Sequence, residues 1–455
     1  MTNTTSFLAA PANLAVRGAA RANAARPAPV HVMARLAFWT IQLLCLTNAI
    51  GLYVLMVKRL RDDNFELSAH PIVFGVCTVI VLAFSKGRVR STLLVVAWVY
   101  WITFFLCGFL GQSQMTASDI RGMLRVTIKP WMTAIGLPWL ALRAISEDKV
   151  PQLLHVTVIA ICMGAGVGFL QILVPGFMEG MLANQGRAEG LWGIPGNGGA
   201  ICALAFFLTL ICPFKSRLMN WLTRLILVAG VVTTLSRGAI AALLVAWVVY
   251  AICARQFWTL LKTAIGVALL WLITLAVVEA TEVATKAGFE QQRLTSFRAF
   301  LSLQWGQRTF NDRTELWQSG IDSIVSKGGL LFGLGHGSMT NIVVTDYQQI
   351  GPHNHYLYVL GNSGILALLA FLVLHFAYLQ QAFKFPNRQA RAAVIAIATV
   401  WAVYDCADNI LIDHPTVGGI FACVTVACAY AGRTQMPGRR PAMTMQHRLA
   451  RPRPA

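Results

Sequence analysis

Residues 91–110 read STLLVVAWVYWITFFLCGFL and contain no charged side chain. About 20 consecutive apolar residues are what an α-helix needs to cross the hydrocarbon core of a bilayer. Similar apolar stretches recur along the rest of the chain. The stretch therefore predicts one member of a helix bundle, and the fold class that follows is an all-α polytopic membrane protein.

The composition of the 455-residue chain agrees with this fold class. Hydrophobic residues make up 56% of the chain and charged residues only 12%, whereas soluble domains carry about 25% charged residues. This balance excludes an ordinary soluble enzyme and a disordered chain. The hydropathy pattern predicts twelve transmembrane helices, at residues 36–57, 70–85, 91–110, 122–142, 152–174, 196–212, 218–235, 238–254, 260–279, 354–379, 392–410 and 415–431.

Basic residues set the predicted orientation of the bundle. An even number of spans places both ends of the chain on one side, and short loops on that side are rich in Lys and Arg, for example at Lys86, Arg88 and Lys215. The positive-inside rule makes this the cytoplasmic side. The formal net charge of +19 is therefore a topology signal and an attraction to anionic lipid, rather than an indication of nucleic-acid binding.

This topology divides the chain into five predicted segments. Residues 1–35 and 432–455 are disordered basic cytoplasmic tails. Residues 36–279 hold transmembrane helices 1–9, and residues 354–431 hold helices 10–12. Residues 280–353 form one large helical periplasmic loop, and a loop of this length in a compact protein is usually functional.

Four basic side chains converge by topology on the periplasmic face, namely Arg187, Arg237, Arg313 and His353. Guanidinium groups match phosphate oxygens in a bidentate fork, and two of them would stabilise a departing diphosphate. An imidazole can take a proton from a hydroxyl and release it near neutral pH. The alternatives are snorkelling to headgroups for Arg237, surface ion pairs for Arg313 and Arg187, and a structural role for the histidine.

Further candidates surround these four. Arg121, Arg125 and Lys129 have i, i+4, i+8 spacing and so share one face of span four, where they either bind an anion or anchor the helix at the interface. Asn354 follows the candidate histidine, and Tyr356 could stack on a sugar ring. His336 and His355 compete with His353 for the role of the base.

Several catalytic patterns are missing from the sequence. It contains no Asp-x-Asp pair, no Walker loop and no G-x-S-x-G elbow. The nearest approach to a metal site is the group Asp405, Asp408, Asp413 and His414. We therefore predict no metal and no cofactor, and a donor that reaches the enzyme already activated and embedded in the membrane.

The order of these pieces resembles the O-antigen ligase and polymerase family of bacterial envelope proteins. The matching pieces are Ser236-Arg237-Gly238, Arg313 to Trp317, LLFGLGHGS at 330–338, and His353-Asn354 followed by Gly364-Ile365. They cover about residues 220–370, with GRAEGLWGIPGN at 186–197 as a weaker upstream piece. Ala367 departs from the small polar or glycine residue that the family tends to have.

The resemblance implies an inverting, metal-independent glycosyltransferase of the GT-C type in the bacterial inner membrane, with its active site on the periplasmic face. Its donor would be a polysaccharide on undecaprenyl diphosphate, and its acceptor a sugar hydroxyl of the lipid A–core. Arg237 and Arg313 would bind the diphosphate, and His353 would activate or orient the acceptor. Arg187, Asn354 and Tyr356, with the basic face of span four, would complete substrate binding.

Three other functions remain open. An O-antigen polymerase would use two lipid-linked glycans, and a protein O-oligosaccharyltransferase would transfer the same donor to Ser or Thr. A transporter of anionic solutes belongs to another class. It would need broken helices near mid-membrane and often repeat symmetry, whereas the predicted spans are little interrupted and show no repeat.

The predicted absence of a metal can be tested directly. Glycan transfer by the purified protein should be unchanged in excess EDTA, because arginine side chains would supply the positive charge at the leaving group. The assay is product formation from a lipid-linked donor with and without chelator. A strict requirement for a divalent cation would contradict this prediction.

Overall fold

The computed structural model describes residues 29–49, 63–85, 91–111, 127–128, 131–173, 190–192, 195–234, 236–258, 261, 307–339, 342–345, 348–350, 352–408 and 415–431. Most of the two predicted tails and of the predicted span 260–279 lies outside these ranges. The first described helix begins at Pro29, so residues 29–35 of the segment predicted as a tail are helical. Proline suits this first helical position because its missing N–H would have no partner there.

Helices account for nearly all the described residues. They are α1 Pro29–Ala49, α2 Asp63–Phe84, α3 Thr92–Leu110, a π-helix Met132–Gly136 that continues into α4 Leu137–Ala144, a 3-10 turn Glu147–Lys149, α5 Val150–Leu173, α6 Pro195–Ile211, α7 Arg217–Thr233, α8 Arg237–Ala254, α9 Gln307–Ser326, α10 His355–Ala382, α11 Arg388–Asp405 and α12 Pro415–Ala431. Two short strands, β1 Ile342–Thr345 and β2 Gln348–Ile350, form an antiparallel hairpin.

The helices are those of a membrane protein. Within the described residues, four are long and apolar enough to cross a bilayer: Thr92–Leu110, Glu147–Gln171, Arg237–Ala254 and His355–Ala382. Shorter apolar helices, α6 and α12 among them, pack with these four. The predicted helical membrane fold is confirmed at this level, whereas the number of twelve spans and the segment boundaries stay predictions.

The interior of the bundle is built around α6 and α12. Residues 200–209 of α6 and 416–428 of α12 are buried, as expected for helices that are apolar on every side. α6 packs between α7 and α11, and α12 packs on α1 and α4. By contrast, α3 and α7 each expose apolar side chains on one face, which is the pattern of helices in contact with lipid.

Helix α10 folds back on itself at Gly364. This residue has φ 74° and ψ −174°, in the left-handed region of φ that favours glycine. In a straight helix His355 and Phe371 would lie about 24 Å apart along the axis, yet their ring centroids are 4.7 Å apart. α10 therefore has two legs, α10a (355–363) and α10b (365–382), a turn that the predicted span 354–379 did not contain.

The described part of the predicted large loop contains α9, a turn segment 327–339 and the β-hairpin. α9 lies in the segment that was predicted to be a large helical loop. The hairpin departs from the predicted all-α fold, and its run of β-branched residues, Ile342 to Thr345, favours a strand. The turn segment follows the fold-back closely, since the Leu334 N–H donates to the Gly361 carbonyl at 2.7 Å and the Ile365 N–H to the Leu330 carbonyl at 2.9 Å.

Replacing Gly364 by Ala tests the fold-back. A Cβ there would collide with the Leu331 carbonyl oxygen, and the positive φ adds strain, so we expect a loss of about 1–3 kcal/mol or more in stability. The measurement is thermal unfolding of the detergent-solubilised protein. Gly166→Ala is the matched control, because nothing lies within 4 Å of a Cβ at this site in α5, and it should be neutral or slightly stabilising. Equal melting temperatures for the two variants would contradict the fold-back.

Candidate functional site

The structure places Arg237 within electrostatic range of Arg313. Their guanidinium groups are close enough for the two positive charges to repel each other. Arg313 reaches from α9 and donates from Nη1 to the carbonyl of Ala407 at 2.8 Å. Arg237 Nη1 is buried and has no hydrogen-bond partner among the described residues. A buried donor without a partner is costly, so this atom marks where an anion would be most stabilised.

Helix stability does not explain the position of Arg237. Ser236 caps α8 by accepting a hydrogen bond from the Ala239 N–H at 3.4 Å, and Arg237 is the first residue of the helix. The helix dipole disfavours a cation at this end. Arg217 occupies the equivalent first position of α7, so what distinguishes Arg237 is the burial of its guanidinium group.

Three helices in the described part of the chain begin near Arg237 and Arg313. The N-terminus of α6 lies there because Gly196 is next to Tyr404 Oη, Asp408 Oδ2 and Ser236 Oγ. α8 begins at its cap Ser236, and α10a at its cap Asn354, which accepts from the Leu357 N–H at 3.0 Å. Helix N-termini carry a partial positive charge and free N–H groups, so their convergence favours an anion.

The C-terminal end of α11 holds the other side of the site. The last carbonyls of a helix have no partner within the helix. Here the Ala407 carbonyl accepts from Arg313, and the Cys406 carbonyl accepts from Asn354 Nδ2 at 3.4 Å. The negative end of the helix dipole also attracts the Arg313 cation. We call residues 404–408 the α11 end.

His353 points to the α11 end. Its Nδ1 lies 3.3 Å from Asp408 Oδ1, and both side chains are partly exposed. A carboxylate on one ring nitrogen favours the tautomer that leaves the other nitrogen free to accept a proton, and it stabilises the imidazolium that forms. Asp408 Oδ2 in turn accepts from the Tyr404 hydroxyl at 3.4 Å.

The backbone at His353 is held in an unusual conformation. Its φ is 45°, which is uncommon for a residue other than glycine. Trp317 fixes the preceding residue by donating from Nε1 to the Pro352 carbonyl at 2.9 Å. The following residue, Asn354, is held by its own capping bond from the Leu357 N–H. Such strain persists where neighbours over-determine the geometry, and it concentrates at functional sites.

The competing histidines are buried instead. His355 is fully buried, with its ring against Phe371. His336 lies in the turn segment, where its Nε2 is 3.1 Å from the Phe105 carbonyl oxygen. Burial lowers the pKa of His336, so its ring is neutral at physiological pH. Among these three, His353 is the histidine that solvent and substrate can reach.

A buried pair lies under the α11 end. His375 Nε2 is 3.9 Å from Asp405 Oδ2, and Asp405 is fully buried. The ring of Trp401 stacks on His375 with centroids 3.9 Å apart. This pair brings α10b into contact with the last turn of α11, next to the α11 end.

Other predicted residues are placed as follows. Asn354 lies at the site, whereas Tyr356 donates to the Ala402 carbonyl at 3.1 Å and packs its ring on Phe371, so its stacking on a sugar stays a prediction. The substrate-binding residues predicted upstream lie outside the described residues: Arg187, Arg121, Arg125 and Lys129. Asp413 and His414 also lie outside them.

Three residues of the site were not predicted as part of it. Asp408 had been considered only for a metal, while Tyr404 and Asn197 were passed over. Tyr404 Oη lies 3.5 Å from Asn197 Oδ1, so it links α6 to the α11 end. The available signal was an acidic residue that follows an apolar span on the same predicted face as His353.

Comparison with known proteins supports the predicted resemblance. Residues 222–372 match a family model described as O-antigen ligase. The match covers about a third of the chain and contains Arg237, Arg313 and His353. No curated protein matches the chain. The predicted resemblance to this family is confirmed over these residues, and it supports an enzyme of the broad class of glycosyltransferase-like ligases and polymerases.

The role of Arg237 can be separated from that of a simple positive charge. Arg237→Lys should lower glycan transfer about tenfold or more, nearly as much as Arg237→Ala, because the planar fork is lost. Initial rates of the purified variants provide the measurement. Arg217→Lys is the matched control, since Arg217 also follows a serine cap as the first residue of a helix but is exposed. Full activity of Arg237→Lys would show that a point charge is enough.

Proposed function

We propose that this member of the O-antigen ligase family transfers a polysaccharide from undecaprenyl diphosphate to a sugar hydroxyl of the lipid A–core, on the periplasmic face of the bacterial inner membrane. The observation that carries the proposal is the buried, unpartnered Arg237 Nη1 beside Arg313, where three described helices begin. The family match supports the broad class of ligases and polymerases.

The charge balance of the site favours a diphosphate. Removing one partner of a buried charge cluster is strongly unfavourable, and two neighbouring guanidinium groups are stable together when an anion lies between them. A diphosphate offers oxygens to both forks and to the N–H groups at the starts of α6 and α8. Because these donors are preorganised, they also stabilise the charge that develops as the diphosphate leaves.

The His353–Asp408 pair suits activation of the acceptor. The acceptor oxygen attacks the anomeric carbon, and the bond from that carbon to the diphosphate oxygen breaks with its electron pair. The hydroxyl proton passes to the free ring nitrogen of His353, and Asp408 stabilises the resulting imidazolium. A single displacement of this kind inverts the anomeric carbon. The arginines compensate the charge on the leaving group, so the reaction as proposed needs no metal.

The polymerase and the protein O-oligosaccharyltransferase would use the same donor site. They differ from the ligase only in the acceptor, and the single large loop that ends at His353 favours the ligase. The fold-back at Gly364 is a broken helix of the kind that transporters use. Here, however, the turn segment fills the break, because its backbone bonds to Gly361 and Ile365, and this argues against a solute site at that place.

Reconstitution with purified lipid-linked donor tests the proposal. Three acceptors are offered in parallel: lipid A–core, a second lipid-linked glycan and a Ser/Thr peptide. We expect transfer to lipid A–core, and its loss in His353→Ala by about a hundredfold or more, as for removal of a general base. His155→Ala is the control, because His155 contacts the Cys212 carbonyl near the far end of α6.

Each outcome has a distinct meaning. Transfer only to the second glycan or only to the peptide would replace the ligase with the corresponding alternative while keeping the donor site. Unchanged transfer by a correctly folded His353→Ala protein would remove His353 from the mechanism. Transfer to none of the three acceptors by the unsubstituted protein would contradict the proposed function.

A further inference from the structure

The turn segment 327–339 carries the sequence LLFGLGHGS, which the proposed mechanism does not use. Its second half is firmly held. Besides the bond from the Leu334 N–H to the Gly361 carbonyl, the Met339 N–H donates to Asn362 Oδ1 at 3.3 Å. His336 packs against the ring of Phe104, with centroids 5.0 Å apart. This half therefore clamps the fold-back of α10 to α3.

The first half of the motif exposes large apolar side chains. Leu330, Leu331 and Phe332 are 55%, 50% and 37% exposed. Their backbone is fixed on both sides, by the Leu330–Ile365 bond and by the Gly333 N–H, which donates to the Gly329 carbonyl at 2.8 Å. The side chains therefore stay on the surface, although burying them would be worth about 1.5–3 kcal/mol each. A contiguous apolar group of this kind marks a contact surface.

The apolar group lies where two lipid-facing helices meet. On one side Gly111, which ends α3, lies next to the carbonyl oxygens of Phe332 and Gly333. On the other side the Leu330 carbonyl accepts from the N–H of Ile365, the first residue of α10b. Apolar side chains along the outer surfaces of both helices are exposed: Val99, Leu106, Phe109 and Leu110 on α3, and Leu366, Leu369, Leu372, Val373 and Phe376 on α10b.

We infer that Leu330, Leu331 and Phe332 insert into the bilayer at the end of α3 and α10b, with lipid acyl chains as their partner. The exposed group extends the lipid-facing surfaces of both membrane helices, because its backbone contacts Gly111 at the end of α3 and Ile365 at the start of α10b. Apolar side chains in such positions lie about 5–10 Å into the boundary between headgroups and acyl chains. Lys327, exposed at the start of the same turn, can reach headgroup phosphates.

The inference goes beyond the proposed reaction and does not depend on it. The same turn segment that enters the lipid would also hold the fold-back, whose other leg begins beside His353. The bilayer thus becomes one of the supports of the site. The inserted residues would lie on the side of α10 that faces α3, away from the α11 end.

A fluorescence-quenching experiment on the full chain in nanodiscs of phosphatidylethanolamine and phosphatidylglycerol tests the insertion. An NBD probe is attached at Leu331→Cys and, as a second variant, at Leu330→Cys. Phe376→Cys, 66% exposed on α10b, is the lipid-facing control. Glu315→Cys, exposed on the polar part of α9, is the aqueous control. Labelling of the native exposed Cys406 is subtracted with the unsubstituted protein.

The quenchers decide the outcome. We expect doxyl-labelled phospholipid to quench the probes at 330 and 331 severalfold more than the probe at 315, and aqueous iodide to quench them severalfold less, as for the probe at 376. Quenching like that at 315 would overturn the inference. Protection from both quenchers would also overturn it, because a second protein surface would then cover the group. None of these readings depends on catalytic activity.

Discussion

Two positive charges held close together, partly out of water, set the requirements for the surrounding structure. Arg237 stands at the N-terminus of α8, where the helix dipole opposes it, and Arg313 adds a second charge of the same sign. Nearby helix N-termini increase the positive potential further. Such an arrangement is unfavourable unless an anion completes it. The cost of holding these two cations side by side and the proposed affinity for phosphate groups thus have one electrostatic cause.

The α11 end is the element that makes this arrangement possible. Its Ala407 carbonyl accepts from Arg313 and its Cys406 carbonyl accepts from Asn354. Asp408 contacts the His353 ring. One short segment therefore sets the positions of Arg313, of the helix cap Asn354 and of His353, the residue proposed as the base. The buried His375–Asp405 pair and the stacked Trp401 tie this segment to α10b. The positions of these residues depend on the packing around the α11 end as much as on the residues themselves.

The sequence was sufficient for the helices and for part of the site. Apolar length predicts membrane helices, and the alternation of sides along the chain placed Arg237, Arg313 and His353 together. It did not find the fold-back, because a hydropathy average over a whole span is blind to the direction of the chain and hides the short polar stretch GNSG at residues 361–364. It also missed the role of Asp408. The pairing of that carboxylate with His353 depends on where α11 ends to within one turn, and apolar patterns locate helix ends only to a few residues.

The site is built from three parts of the chain that are separated in sequence. Residues 222–372, the part that matches the family, contain the two arginines and the imidazole. The carboxylate, the accepting carbonyls and Asn197 come from elsewhere. A chimera that carries the matched region in the chain of a relative would thus contain both arginines of this protein. The carboxylate and the accepting carbonyls would come from the relative. The segment to exchange is longer in both directions: it runs from the start of α6 through the α11 end, residues 404–408.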